Sequence, residues 1–195
     1  LFEWLSASPD HVSLTAVRHP LARAYDAFMS KIFPTGEGTY AVIREQLVNY
    51  FGVALPEPEV MKTATRSALE SEGYSIGQHR AAFHAFLRFL KDNLSGQTSI
   101  RKDGLWDSQM SFVTGFNTAV PISIIAKEGQ MDASFKYIES VLDLPAPNIG
   151  APIQPDHMFQ LDEIYTRQTE NLARKAYMMD YSRFGFADYQ AALEV

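Results

Sequence analysis

Arg18, His19 and Pro20 directly follow a predicted strand, and their residue types and position suit a ligand-binding site. Residues 11–17 alternate and are rich in β-branched types, which predicts the strand. Pro20 suits the first position of a helix, because its missing N–H would have no partner there. Ligands of parallel α/β sheets bind where strands end and helices begin, so a functional site is expected at this turn.

The predicted helix after this turn has one apolar face, formed by Leu21, Ala24, Tyr25, Phe28 and Ile32. Without a motif to guide the interpretation, Arg18 at the strand end is expected to pair with Asp10 or Asp26. Arg23 is predicted to be structural, bridging to the sheet or pairing with Asp26 three residues further along the helix.

The rest of the chain predicts elements that would support this unit. A second strand is expected at 121–125, and the segment 97–115 is expected to mix extended pieces with a polar loop. Helices are predicted at 40–51, 59–70, 75–94, 132–142, 161–183 and 188–193. The pattern indicates an α/β fold, with a small parallel sheet and a large helical complement. It predicts one domain over 1–195, with a helical insertion at about 40–95.

Residues 16–28 resemble the second nucleotide-binding motif of the sulfotransferases that use PAPS (3′-phosphoadenosine 5′-phosphosulfate), in the carbohydrate-type and bacterial nodulation-type branch. In that motif a strand ends in Val-Arg-(His/Asp/Asn)-Pro, and an arginine, a serine and an aromatic residue follow. The strand-end arginine and the serine hold the 3′-phosphate. Arg18 and Arg23 match the two arginines, and Asp26 stands at the serine position.

The resemblance implies a cofactor-binding site formed by Arg18, His19, Arg23 and Asp26. A guanidinium binds phosphate in a bidentate manner, and a helix start adds N–H donors and a positive dipole. An ionised carboxylate at position 26 would instead repel the phosphate.

Two later segments extend the resemblance over nearly the whole chain. Residues 103–109 are similar to the family's Asp-Pro-His-Trp-x-Pro-Gln stretch near the active-site cleft, with Trp106 and Gln109 matching and Leu105 at the histidine position. These two matches imply residues of the substrate cleft, although Trp106 also suits the core. Residues 176–186 are similar to the family ending Tyr-x-x-Asp-x-x-x-Phe-Gly-Tyr.

The resemblance implies a P-loop-like sulfotransferase fold and transfer of a sulfuryl group from PAPS to a hydroxyl or amine of a carbohydrate or other small acceptor. It assigns no catalytic residue. The family's 5′-phosphosulfate loop lies upstream of the arginine-bearing strand, and residues 1–10 contain neither glycine nor lysine, so the chain is expected to be N-terminally incomplete. The alternative is a sulfotransferase-like binding module without PAPS chemistry, which Asp26 and Leu105 favour.

Composition excludes several other classes. A net charge of -6 disfavours nonspecific nucleic-acid binding. The chain has no cysteine, so it has no disulfide framework, thiolate metal site or cysteine nucleophile. No apolar run is long enough to span a bilayer, and a cytoplasmic location is expected. His79 and His84 lie five residues apart, so a packing or surface role is predicted for them and no metal is expected.

Overall fold

The element order alternates only briefly between strand and helix before helices dominate. The computed structural model describes residues 10–61, 65–143 and 155–190, together with four isolated positions. In these residues the elements are β1 (Leu14–Val17), α1 (Pro20–Ala27), a π-helical turn (Phe28–Ile32), α2 (Ala41–Phe51), α3 (Pro58–Met61), α4 (Arg66–Ser71), α5 (Ile76–Leu94), α6 (Gln109–Asn117), β2 (Ile124–Lys127), a 3-10 turn (Glu128–Gln130), α7 (Met131–Leu142), α8 (Leu161–Ile164), α9 (Arg167–Ala176) and α10 (Met178–Phe184).

Contacts divide the chain into two compact units. The first comprises residues 1–19 and 109–153, and the second comprises residues 20–108 and 154–195. The helices of the predicted insertion at about 40–95 fall within the second unit. None of the described helices is both long and apolar enough to cross a bilayer.

The first unit contains the sheet. β1 and β2 pair in parallel, in a register that runs from Leu14 opposite Ile124 to Val17 opposite Lys127. A parallel pair needs a long crossover, and the chain between these two strands provides it. The predicted small parallel sheet with a large helical complement is therefore confirmed for the described residues, which are α/β and mostly helical.

The second unit contains the hydrophobic core, centred on α5. The Ser75 side chain accepts from the Gln78 N–H, and the Gln78 side chain accepts from the Ser75 N–H, so a capping box starts the helix where the sequence predicts. Gly96 follows the helix with a φ of +76°, which glycine adopts without steric cost. Between these ends, α5 buries an aromatic face with Phe83 and Phe86 against Phe28.

Two predicted segments differ from the structure, chiefly because threonine side chains cap helices locally. Thr65 has an extended backbone and accepts from the Ala68 N–H, so the single helix predicted at 59–70 is wrong. Thr166 interrupts the predicted helix at 161–183 in the same way, by accepting from the Thr169 N–H, and the helix breaks again at Tyr177. The predicted helix at 188–193 lies largely outside the described residues.

Two further predictions need correction in the first unit. The segment 97–115 was expected to mix extended pieces with a polar loop, but α6 begins at Gln109. The apolar spacing of the helix predicted at 132–142 places Phe135, Ile138, Val141 and Leu142 on one inward face, but Val141 and Leu142 are exposed. Apolar spacing marks one face of α7, but it does not show that another layer covers that face.

Candidate functional site

Arg18 lies at the carboxyl end of β1, where its backbone is held by the side chain of Gln109. The Arg18 N–H donates to Gln109 Oε1 at 2.8 Å, and Gln109 Nε2 donates to the Arg18 carbonyl at 2.8 Å. Gln109 is buried, so water competes little for these bonds. Gln109 was expected to line the substrate cleft, but both ends of its amide are used to fix Arg18.

The Arg18 guanidinium forms an ion pair with Glu128, which follows β2 as Arg18 follows β1. Arg18 Nε lies 2.8 Å from Glu128 Oε2, and the two side chains are 26% and 36% exposed. The parallel register explains the pairing, because the carboxyl ends of adjacent parallel strands lie side by side. Sequence analysis missed Glu128 as the partner. His19 follows Arg18 and is half-buried.

Arg23 of α1 has a structural role, as predicted, although its partners differ from those expected. Its guanidinium donates to the backbone carbonyls of Gly104 and Asp107. These carbonyls belong to residues 103–108, which we call the tryptophan loop. Because one guanidinium joins two carbonyls of this loop to α1, Arg23 stabilises the loop.

The C-terminal motif also binds the tryptophan loop. Tyr177 is buried and its hydroxyl donates to the Trp106 carbonyl at 2.8 Å. Ser108 Oγ donates to Asp180 Oδ1 at 2.5 Å, and Asp180 is buried as well. Tyr177 and Asp180 therefore connect the start of α10 to the tryptophan loop.

Trp106 is an anchor of the core. None of its surface is exposed, and its indole N–H donates to Asn93 Oδ1 at 3.0 Å. Its ring makes edge contacts with Tyr40, at 4.9 Å between centroids, and with Phe86, at 6.3 Å. Of the two interpretations left open for Trp106, this burial supports the core one. Hydrogen bonds from Arg23 and Tyr177 to its carbonyls hold the tryptophan loop within the second unit.

Asp26, at the family's serine position, pairs with His157. The two side chains are 23% and 17% exposed, and His157 Nε2 lies 2.7 Å from Asp26 Oδ1. The imidazole also contacts the Tyr25 ring edge-on, at 5.7 Å between centroids. His157 gives the Asp26 carboxylate a donor within its own unit. Sequence analysis missed His157, because 131 residues separate the pair and no local pattern links them.

His79 and His84 both have packing roles. His79 is fully buried, stacks on Phe159 at 4.3 Å and lies between two tyrosine hydroxyls, with Tyr25 Oη 3.1 Å from Nε2 and Tyr74 Oη 3.2 Å from Nδ1. The Tyr25 hydroxyl donates to the Phe159 carbonyl at 2.6 Å. It therefore accepts from a protonated Nε2, and Nδ1 accepts from Tyr74.

Burial sets the charge state of this cluster. It lowers the pKa of His79 to about 3 and raises the pKa values of Tyr25 and Tyr74, so the imidazole is neutral and both hydroxyls keep their protons at neutral pH.

His84 donates to or accepts from Thr169 Oγ1 at 2.7 Å, and burial lowers its pKa to about 4. Among the described residues, no three His, Asp or Glu side chains are grouped closely enough to hold a metal ion.

No protein-family model, curated protein or solved structure gives a significant match to this chain. The functional interpretation therefore depends on the geometry around Arg18 and on the sequence motifs.

A substitution of Arg23 tests its structural role. Arg23→Met removes the donors to two loop carbonyls, and we expect the free energy of unfolding to fall by about 1.5–3 kcal/mol, as for hydrogen bonds from charged groups. Arg101→Met, at an exposed arginine, is the control. Urea denaturation followed by circular dichroism measures both, and equal stability of the two variants would contradict the role of Arg23.

Proposed function

We propose that this chain carries part of the nucleotide site of a PAPS-dependent sulfotransferase, with Arg18 binding the 3′-phosphate. The reaction would transfer the sulfuryl group of PAPS to a hydroxyl or amine of a carbohydrate or other small acceptor. One observation carries the proposal. Arg18 ends a strand of a parallel sheet, its backbone is fixed by Gln109, and its guanidinium is partly accessible.

Of the motif residues, Arg18 is the one whose side chain can bind the 3′-phosphate, so the phosphate site is less complete than the family motif would give. The Arg18 guanidinium offers paired donors to a phosphate, and Glu128 must release it first, because both acceptors compete for the same cation. Asp26 supplies no donor where the family has serine, and Arg23 is engaged by the tryptophan loop. We therefore expect weaker binding of the 3′-phosphate than the complete motif would give.

The chemistry of sulfuryl transfer sets what else the site requires. A base must deprotonate the acceptor, and cationic groups must stabilise the charge that develops on the leaving phosphate oxygen. Arg18 supplies cationic charge at the 3′-phosphate, where it orients the nucleotide. No described residue is assigned as the base.

Calorimetry with adenosine 3′,5′-bisphosphate tests the proposal. We expect Arg18→Ala to weaken binding by roughly 10–100-fold, because hydrogen bonds from a charged group contribute about 1.5–3 kcal/mol. Arg101→Ala is the control and should leave the affinity unchanged, since Arg101 is exposed and outside the motif. Absence of binding by the wild-type chain, or equal affinity of Arg18→Ala, would overturn the proposal.

The second candidate is a sulfotransferase-like binding module without PAPS chemistry. It is favoured by the Asp26–His157 pair and by Leu105, which is exposed at the position where the family has histidine. Transfer of radiolabelled sulfuryl from PAPS to a panel of sugars and amines separates the two candidates. Nucleotide binding without transfer would favour the module, and transfer would favour the enzyme.

A further inference from the structure

We infer that Gln109 is a positioning residue that substitutes for a neighbouring strand at the end of β1 and thereby holds Arg18 in place. The expected effect of Gln109 on nucleotide affinity rests on the proposed function. Its expected effect on the mobility of Arg18 rests only on the geometry of the first unit.

The hydrogen-bond pattern of the sheet shows which edge Gln109 occupies. In a parallel ladder, successive residues of a strand direct their N–H and C=O groups to alternate sides. The Ser13 carbonyl accepts from the Ile124 N–H at 3.0 Å, so Ser13, Thr15 and Val17 face β2. Leu14, Ala16 and then Arg18 face the opposite edge. Gln109 therefore binds β1 on the side away from β2.

The amide of Gln109 is suited to this position because it carries an acceptor and a donor on one planar group. It bonds the N–H and the C=O of the same residue, as the backbone of an adjacent strand would do. Asparagine and glutamine are the side chains that present this combination on an amide, the same group as the backbone. Gln109 begins α6, so the helix fixes the direction from which the amide approaches.

The backbone and the guanidinium of Arg18 are thus both restrained by residues of the first unit. Gln109 holds the backbone, and Glu128 holds the guanidinium until an anion replaces it. A restrained arginine loses less conformational entropy when it binds phosphate, which favours affinity through preorganisation. Loss of Gln109 would release the backbone while leaving every side-chain atom of Arg18 present.

The test uses the uncharged substitution Gln109→Met in the full chain, with Gln97→Met at an exposed glutamine as the matched control. Methionine has a similar length but cannot bond the Arg18 backbone, and it adds no charge near the guanidinium. The first measurement is the heteronuclear NOE of the Arg18 side-chain Nε–H, which we expect to fall in Gln109→Met alone. The second is the affinity for adenosine 3′,5′-bisphosphate, expected to fall about tenfold because binding must then order the released Arg18 backbone.

A double substitution separates positioning from general damage. If Gln109 acts through Arg18, then Gln109→Met in an Arg18→Ala background should cause no further loss of affinity. An additive loss, or an unchanged NOE in the single variant, would overturn the inference. Should Gln109→Met not fold, Gln109→Asn keeps an uncharged amide but shortens the side chain by one methylene, and the same two measurements apply.

The two proposals fail in different ways. If Arg18→Ala leaves nucleotide affinity unchanged, the proposed function is wrong, and the NOE still decides whether Gln109 positions Arg18. If Arg18→Ala weakens binding but Gln109→Met changes neither the NOE nor the affinity, only the positioning role is wrong.

Discussion

Trp106→Ala is expected to lower the free energy of unfolding by about 3–5 kcal/mol, the range for truncating a large buried aromatic residue. The substitution leaves a cavity beside Tyr40 and Phe86 and removes the donor to Asn93. Native domains are stable by only about 5–15 kcal/mol, so the variant should lose a large share of its stability and unfold at a much lower denaturant concentration. Denaturant titration followed by circular dichroism measures the loss.

Two further variants define the source of this effect. Tyr50→Ala removes an aromatic side chain that is 77% exposed, and it should change stability little. Trp106→Phe keeps much of the ring volume but removes the N–H donor, and we expect an intermediate loss of about 1–3 kcal/mol. If Trp106→Ala were as stable as Tyr50→Ala, the residue would not be a core anchor, and a place in an open cleft would have to be reconsidered.

Acidification is expected to destabilise the protein through His79. The pKa of His79 is lowered from 6.5 to about 3 in the folded state, mainly because burial disfavours the imidazolium. Above pH 6.5 both states are neutral and the contribution is fully present. As the pH falls from 6.5 towards 3, the unfolded chain takes up a proton that the folded chain does not, so stability is lost. Between pH 7 and pH 4.5 this group should account for roughly 2–3 kcal/mol.

The variant His79→Gln isolates this contribution. It is expected to be less stable at pH 7, because it loses the stacking on Phe159 and part of the hydrogen bonding to Tyr25 and Tyr74. Its stability should nevertheless fall less steeply with acid. His84→Gln should show a similar relief down to pH 4.5, since burial also lowers the pKa of His84, to about 4. A slope identical to that of the wild-type chain would contradict the assignment to His79.

Local features were predicted well because neighbouring residues determine them. The alternation before Arg18 predicted a strand, and β1 lies within the predicted range, while Pro20 begins α1 as expected. Ser75 and Gly96 mark the two ends of α5, since a capping side chain and a left-handed glycine act within a few residues. The parallel sheet and the helical majority followed from the same local signals.

The roles of the candidate site residues depended on partners distant in the sequence. Gln109 reaches Arg18 across 91 residues and His157 reaches Asp26 across 131, and in neither case does residue type or spacing specify the contact. Trp106 was compatible with a cleft or a core until the carbonyl bonds of its loop placed it inside. Hydrogen bonding and burial depend on which surfaces come together, so they are properties of the packed chain.

The sequence by itself determined that an arginine would end a strand of a small parallel sheet, since periodicity and proline geometry act over a few residues. The tertiary structure decided what surrounds that arginine. Gln109 holds its backbone and Glu128 its guanidinium, because folding brings α6 and the end of β2 to the end of β1.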